Sequence, residues 1–240
     1  MSETVHARGI LFAEGRARVA ARVTERPAAP RTEYPLKRWL DVAVAGVALA
    51  VSLPLWAIIA LAIKLEDGGP VLYAQRRWGR RKTPITVHKF RSMRWASESV
   101  DGSVQARADD PRVTTVGRWL RATSLDELPQ ILSIWRGEMS WVGPRALPIN
   151  EVQVNEAEQL PDEAIPGFDA RSQVTPGLTG IAQVYAPRDV PRAKKFRYDC
   201  LYIRRQSLAL DLHLVLVSLW ITARGNWSGR GRARRRGRSK

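Results

Sequence analysis

Cysteine is nearly absent from this sequence: Cys200 stands alone in 240 residues. One thiol excludes an intramolecular disulfide and fits a reducing compartment. Histidine is scarce too, at three, which argues against a structural zinc site. Acid is in short supply. Asp and Glu number 23 against 39 Lys and Arg, a net charge of +16. Such an imbalance calls for a polyanionic partner: nucleic acid, an anionic membrane surface or phosphorylated substrates. No short apolar run lies near the N-terminus, so a secretory signal is not expected. What is there is enough to fold. The chain is 45% hydrophobic and long enough for one good core, or one core plus appendages.

Residues 1–36 read as a basic, flexible leader, with Arg8, Arg16, Arg18, Arg22, Arg26 and Arg31 and with Pro27 and Pro30 to break any long helix. A stretch without a single charge follows, from Val42 to Ile63. As a helix it is long enough to cross a bilayer of about 30 Å. Pro54 near its middle removes a backbone donor and predicts a kink. Basic residues flank both ends: Lys37 and Arg38 before, then Lys64, Arg76, Arg77, Arg80, Arg81 and Lys82 after. The positive-inside rule draws both ends to the cytoplasmic side. Two readings stand for residues 37–66: a helix that enters, bends at Pro54 and returns, or a spanning helix with a proline kink.

Beyond Gly68-Gly69-Pro70 the pattern turns globular. Val71–Gln75 and Ile85–Phe90 have strand composition around the basic turn Arg76–Lys82, which predicts a β-hairpin. Residues 96–111 are polar and read as a loop. Arg112–Ala122 reads as a basic amphipathic helix, suited to a membrane interface or to the surface of the core. Leu208–Ile221 is interrupted by Asp211 and His213 and reads as a core or interfacial helix, with Trp220 as a headgroup-level anchor. Residues 223–240 form an Arg-rich tail of disordered composition. The expected fold is mixed α/β and mostly helical. It has one N-terminal membrane helix, interfacial amphipathic helices and a small hairpin in a compact cytosolic catalytic domain over 67–222.

One acidic couple, Asp126-Glu127, sits in a chain crowded with arginine. Adjacent carboxylates can hold Mg²⁺ against a phosphate and offer an oxygen nucleophile. The same residues fit two helix frames. Ser124 to Glu127 matches a capping box; alternatively, Pro129 opens the helix and the acids lie just ahead of it. The surroundings suit phosphate. Lys89 and Arg91 share one side of an extended segment. Trp141-Val-Gly-Pro-Arg145 is a tight turn ending in arginine. Val174–Gln183 holds Pro176, Gly177 and Gly180, so its backbone can approach a ligand closely.

The order of these motifs resembles a known family. Lys37-Arg-Trp-Leu-Asp41, the apolar helix with Pro54, Lys89–Met93, Thr123–Gln130, Arg136–Arg145 and Pro176–Val184 are similar to the bacterial sugar transferases, the monotopic phosphoglycosyl transferases, in their minimal form. The resemblance implies transfer of a sugar 1-phosphate from a nucleotide diphosphate sugar to polyprenol phosphate, with release of nucleoside monophosphate. UDP and undecaprenyl phosphate are the expected nucleotide and lipid. It implies Asp126 as nucleophile, Glu127 with Asp126 as Mg²⁺ ligands, and Arg121, Arg145, Lys89 and Arg91 as phosphate contacts. Pro176, Gly177, Gly180 and Gln183 become a substrate loop. Asp199 and Tyr202 have supporting roles, and Ser52 with Pro54 breaks the membrane helix. The implied location is the bacterial inner membrane, with the catalytic domain on the cytoplasmic face. Anionic lipids and downstream glycosyltransferases are the expected partners; nucleic acid is not, although the charge makes it an alternative. A non-catalytic scaffold is the other. Three departures from the family pattern stand out: Leu53 before Pro54, Ala146 after Arg145, and Ile181, Tyr185 and Ala186 in the loop. The second predicts a looser turn behind Arg145.

Overall fold

The computed structural model describes residues 33–94, 110–149, 161–186 and 190–223. The rest of the leader, most of the 96–111 loop and the Arg-rich tail lie outside the described residues.

Helix α1 spans Lys37–Asp67, the hairpin pairs β1 (Leu72–Trp78) with β2 (Pro84–Phe90), and α2 spans Thr115–Thr123. A 3₁₀ turn at Leu125–Glu127 leads to α3 (Gln130–Arg136). Strands β3 (Ser140–Val142) and β4 (Gly177–Thr179) pair in parallel, with the single-turn α4 (Phe168–Arg171) between them in sequence. Helices α5 (Ile181–Tyr185), α6 (Arg192–Arg205) and α7 (Leu208–Ala223) complete the described chain. The fold is mostly helical with a small sheet content, as expected. The strands of the hairpin run further than their composition suggested. Arg76 and Arg77 belong to β1, and the basic turn is confined to residues 79–83. Helix α2 begins three residues later than expected, where the Thr114 hydroxyl accepts the Gly117 N–H and caps it.

Helix α1 is 31 residues long, with a mean hydropathy of 2.4 over its most apolar stretch. It runs unbroken through Pro54. The carbonyl deprived of a partner by Pro54 is that of Ala50, but the Ser52 hydroxyl donates to Leu49 O at 3.3 Å. Ser52 therefore does not repair the bond that proline removes.

Both ends of α1 are tied to the same body. At its start Arg38 donates to the carbonyls of Ile134 and Trp135, each at 2.7 Å. These are C-terminal carbonyls of α3, where a cation is favourable; that of Ile134 also takes the Gly137 N–H at 3.1 Å. Asp41 accepts the Trp141 N–H at 3.1 Å. At the far end Glu66 accepts the Thr115 and Val116 N–H groups at 2.6 and 3.1 Å and so covers the start of α2. Asp67 pairs with Arg91. Between these ties Ala45 packs with Val87, Ile131 and Ile134, and Ile59 and Ile63 pack with Phe90 and Leu120. The opposite side is bare apolar surface, including Trp39, Val47, Val51, Ile58, Leu61 and Leu65. Helix α7 adds an exposed stripe at Leu208, Leu212, Leu216 and Leu219, and Trp119 and Trp135 are also exposed.

The last residues of the expected leader are not loose. Glu33 accepts the Thr175 N–H at 2.6 Å, and the Tyr34 hydroxyl donates to Asp211 at 2.9 Å. Lys37 meets the same Asp211 oxygen at 2.6 Å.

Candidate active site

The acidic couple sits on a reversal between two helices. Ser124 closes α2 in the left-handed region, φ 58°, with its N–H bonded to Leu120 O. The chain then makes one 3₁₀ turn, and α3 begins immediately after Pro129. Ser124 makes no side-chain cap, so the capping-box frame is not the one adopted. The frame with proline at the helix start holds to within one residue. Leu125 and Leu128 pack into the cluster of Ile59, Phe90 and Leu120. These two apolar anchors bracket Asp126 and Glu127 and hold the turn against β2 and α1. A serine at positive φ carries strain of about 1–3 kcal/mol, which the packing around it must offset.

Glu127 Oε1 receives two cations. Lys89 Nζ lies at 2.7 Å and Arg145 Nη2 at 3.0 Å. Lys89 Nζ is also 3.8 Å from Asp126 Oδ2. Burial works against ionisation of Glu127, but Lys89, Arg145 and Arg77 outweigh it and hold the carboxyl well below its usual range. Asp126 is only 9% exposed and shifts the other way. Burial raises its pKa and the Glu127 charge adds to this, while Lys89, Arg121 and Arg145 oppose. Two adjacent carboxylates are thus driven apart in acidity, which marks functional sites more often than structural ones.

Lys89, Arg121 and Arg145, three of the expected phosphate contacts, all act on Asp126. Arg91 lies elsewhere: its guanidinium is 3% exposed and bound to Asp67 at the exit of α1. Lys89 and Arg91 leave the strand on the same side, but Arg91 is one residue past its end and turns to the helix. Gly177 packs on Gly143; a Cβ there would lie 2.0 Å from Gly143 N and 2.6 Å from Gly143 Cα. The small residues let β4 close onto the turn of Arg145. Gly177 N donates to Pro144 O at 2.8 Å and Gly143 N to Thr179 O at 2.9 Å. Pro176 O accepts Ser140 N at 2.8 Å, and Gln183 Nε2 reaches Gly143 O at 3.5 Å. Gly180 stands directly before α5.

Among the described residues no cluster of three or more His, Cys, Asp or Glu could hold a metal ion. A pair of hard carboxylates nonetheless suits Mg²⁺, which takes one or two protein carboxylates and completes its shell with water and substrate phosphate. Both cations on Glu127 share Oε1, so the donor set fits.

A family model described as bacterial sugar transferase matches residues 32–225. The chain belongs to the bacterial sugar transferase family. An undecaprenyl-phosphate glucose phosphotransferase of Komagataeibacter xylinus is 39% identical over 197 residues, which is 79% of this chain and 36% of that protein. The exopolysaccharide production protein PSS of Rhizobium leguminosarum bv. phaseoli is 38% identical over 185 residues, 75% of this chain and 91% of that protein. A UDP-glucose:undecaprenyl-phosphate glucose-1-phosphate transferase of Caulobacter vibrioides is 42% identical over 193 residues, 78% and 70% of the two chains. The chain therefore spans about a third of one of these relatives and nearly all of another.

Two arginines of this sugar transferase escaped the sequence reading. Arg77 is 5% exposed and donates to Ala146 O at 3.1 Å. Arg171 is 4% exposed, pairs with Asp199 at 2.9 Å and donates to Arg145 O. The only signal for either was charge in a strand or beside a turn, where solvation is the ordinary explanation. Asp199 is bonded to Arg171 Nε. The Tyr202 hydroxyl lies 3.0 Å from Val142 O and 2.9 Å from Asp211 Oδ1, with one proton to share between them.

Proposed function

We propose that this bacterial sugar transferase moves a sugar 1-phosphate from a UDP-sugar to undecaprenyl phosphate through a covalent intermediate on Asp126. The observation that carries the reading is the split couple: a buried Asp126 of raised pKa beside a Glu127 held ionised by Lys89 and Arg145. Water-poor surroundings leave the Asp126 carboxylate less solvated and so more reactive. One of its oxygens attacks the phosphorus that bears the sugar. The bond from that phosphorus to the nucleoside monophosphate oxygen breaks, and the monophosphate leaves with the electron pair. A phosphate oxygen of the lipid then attacks the same phosphorus. The acyl phosphate bond breaks, Asp126 is regenerated, and the sugar remains on a lipid diphosphate. Dividing the reaction lets two mutually repelling anionic substrates meet the site in turn. Arg145, Arg121 and Lys89 bind the phosphates and offset the charge that develops on them. Asp126 and Glu127 would hold Mg²⁺, which supplies further charge neutralisation at the pyrophosphate when bound.

The membrane reading rests on α1. A 31-residue helix is about 46 Å long. A perpendicular crossing would carry one end to the far side of the bilayer, whereas both ends here cap helices of one body. That favours a helix that enters and leaves by the same face, with its bare apolar side and the leucine stripe of α7 in the lipid. Basic flanks favour the cytoplasmic side.

The test is donor alone. Wild-type protein with Mg²⁺ and a UDP-sugar should release UMP and gain a sugar-phosphate mass on the peptide containing Asp126. Relatives' names specify glucose 1-phosphate in some cases and N-acetylgalactosamine phosphate in another, so the screen begins with those two donors. Release of UMP without an adduct, and undiminished turnover in Asp126→Asn, would remove the intermediate.

A further inference from the structure

The turn at Gly143–Ala146 is held from behind at nearly every carbonyl. Val142 O meets the Tyr202 hydroxyl, Pro144 O takes Gly177 N–H, Arg145 O takes Arg171, and Ala146 O takes Arg77. This turn was expected to be loose, because alanine follows Arg145. Instead Ala146 is 1% exposed, packed beside Ile131 and Met139, with its carbonyl clamped.

The two arginines are unlike the one they support. The Arg145 side chain is 44% exposed and meets Glu127 at 3.0 Å. A long exposed arginine has many accessible rotamers, so its aim depends on where its backbone is fixed. Arg171 is locked on both sides: Nε on Asp199, and Nη2 on the Arg145 carbonyl. Arg77 is locked by two bonds to Gln75 Oε1, at 3.0 and 2.7 Å, and by one to Ala146 O. A buried guanidinium costs several kcal/mol in desolvation and is retained only where its bonds are well made. Asp199 neutralises Arg171, so its effect on the site is geometric. Arg77 is bonded to the neutral Gln75, and its charge also reaches Glu127.

We propose that Arg171, with Asp199, and Arg77 are positioning residues that clamp consecutive carbonyls of the Arg145 turn and so fix the aim of Arg145 at the phosphate site. The planar fork matters more than the charge. Lysine has one nitrogen and cannot span Asp199 and the Arg145 carbonyl together. This proposal rests on the transferase reading above.

A double-mutant cycle with Arg145→Ala tests it, because residues that act through one another are non-additive. The readout is kcat/KM for the UDP-sugar, from UMP release. Arg171→Lys is expected to lower it about tenfold in the wild-type background and less than about twofold in Arg145→Ala. Its loss should also divide between kcat and KM in the same proportion as that of Arg145→Ala. Equal losses in the two backgrounds, or a division between kcat and KM unlike that of Arg145→Ala, would overturn the proposal and leave Arg171 a structural residue. Should Arg171→Lys fail to fold by circular dichroism, Arg77→Lys in the same cycle decides the matter. Absence of UMP release from the wild-type protein with every donor would instead sink the transferase reading.

Discussion

Two of the buried charge clusters among the described residues are built differently. At the start of α1, Asp211 meets Lys37, Tyr34 and Tyr202. Asp41 also faces Lys37 and Asp211, so two acids share one cation and the group has no positive surplus. At the acidic couple, two carboxylates feel four cations, Lys89, Arg145, Arg121 and Arg77. This cluster carries surplus positive charge even when both acids are ionised. A cluster without positive surplus holds elements together; a positive surplus invites an anion.

The sharpest way to break the contrast is Asp126→Asn. We expect UMP release to fall by about 10³-fold or more, with loss of the mass adduct. Stability should not fall. A carboxyl whose folded pKa is raised stabilises only below its ordinary value near 4 and loses that contribution as pH rises. At neutral pH its ionised form is a burden, so thermal melting should give an equal or higher Tm, the gain vanishing in acid.

Lys37→Met attacks the other cluster. It leaves Asp211 buried without its cation, a loss of about 3 kcal/mol, or roughly 6–12 °C in Tm. Turnover by the folded fraction should change by less than about twofold. A large fall in kcat/KM at unchanged Tm would mean that the anchor belongs to the site.

Lys89→Met reduces the surplus. We expect kcat/KM to fall about 100-fold. The acidic limb should move to higher pH, because Lys89 is the main group lowering the Asp126 pKa. Glu127 has a lowered pKa, so the stability it contributes is present above the ordinary glutamate range and lost as pH falls through its folded value. Removing Lys89 should shift that acid-side loss upward too, as acid melts would reveal.

The smallest expected effect is that of Leu216→Ser on the exposed stripe of α7. Folding stability should stay within about 0.5 kcal/mol. Affinity for vesicles of anionic phospholipid should weaken about tenfold, the value of one buried leucine. Unchanged vesicle binding would place that stripe outside the lipid.

Much of this was legible in the chain. The charge-free run predicted α1, and strand composition around a basic turn predicted the hairpin, because both are local patterns. The acidic couple stood out because acid is rare in a basic chain. Arg77 and Arg171 were not legible. Their partners are 69 and 26–28 residues away, and nothing in the local pattern distinguishes a clamped arginine from a solvated one. Ser124 illustrates the same limit: its spacing to Glu127 fits an N-cap, but closing α2 against Leu120 turned it into a C-cap.

Residue order alone settled which groups are present: an apolar helix with basic flanks, two adjacent acids, and more cations than acids to balance them. It also settled that one thiol cannot form a disulfide within these 240 residues. Folding assigned the cations. It brought Lys89 and Arg145 to Glu127, sent Arg91 to Asp67, and placed Arg77 and Arg171 behind the turn. Electrostatic and hydrogen-bond energies fall off within a few ångströms, so such roles exist once distant segments touch and are undefined before.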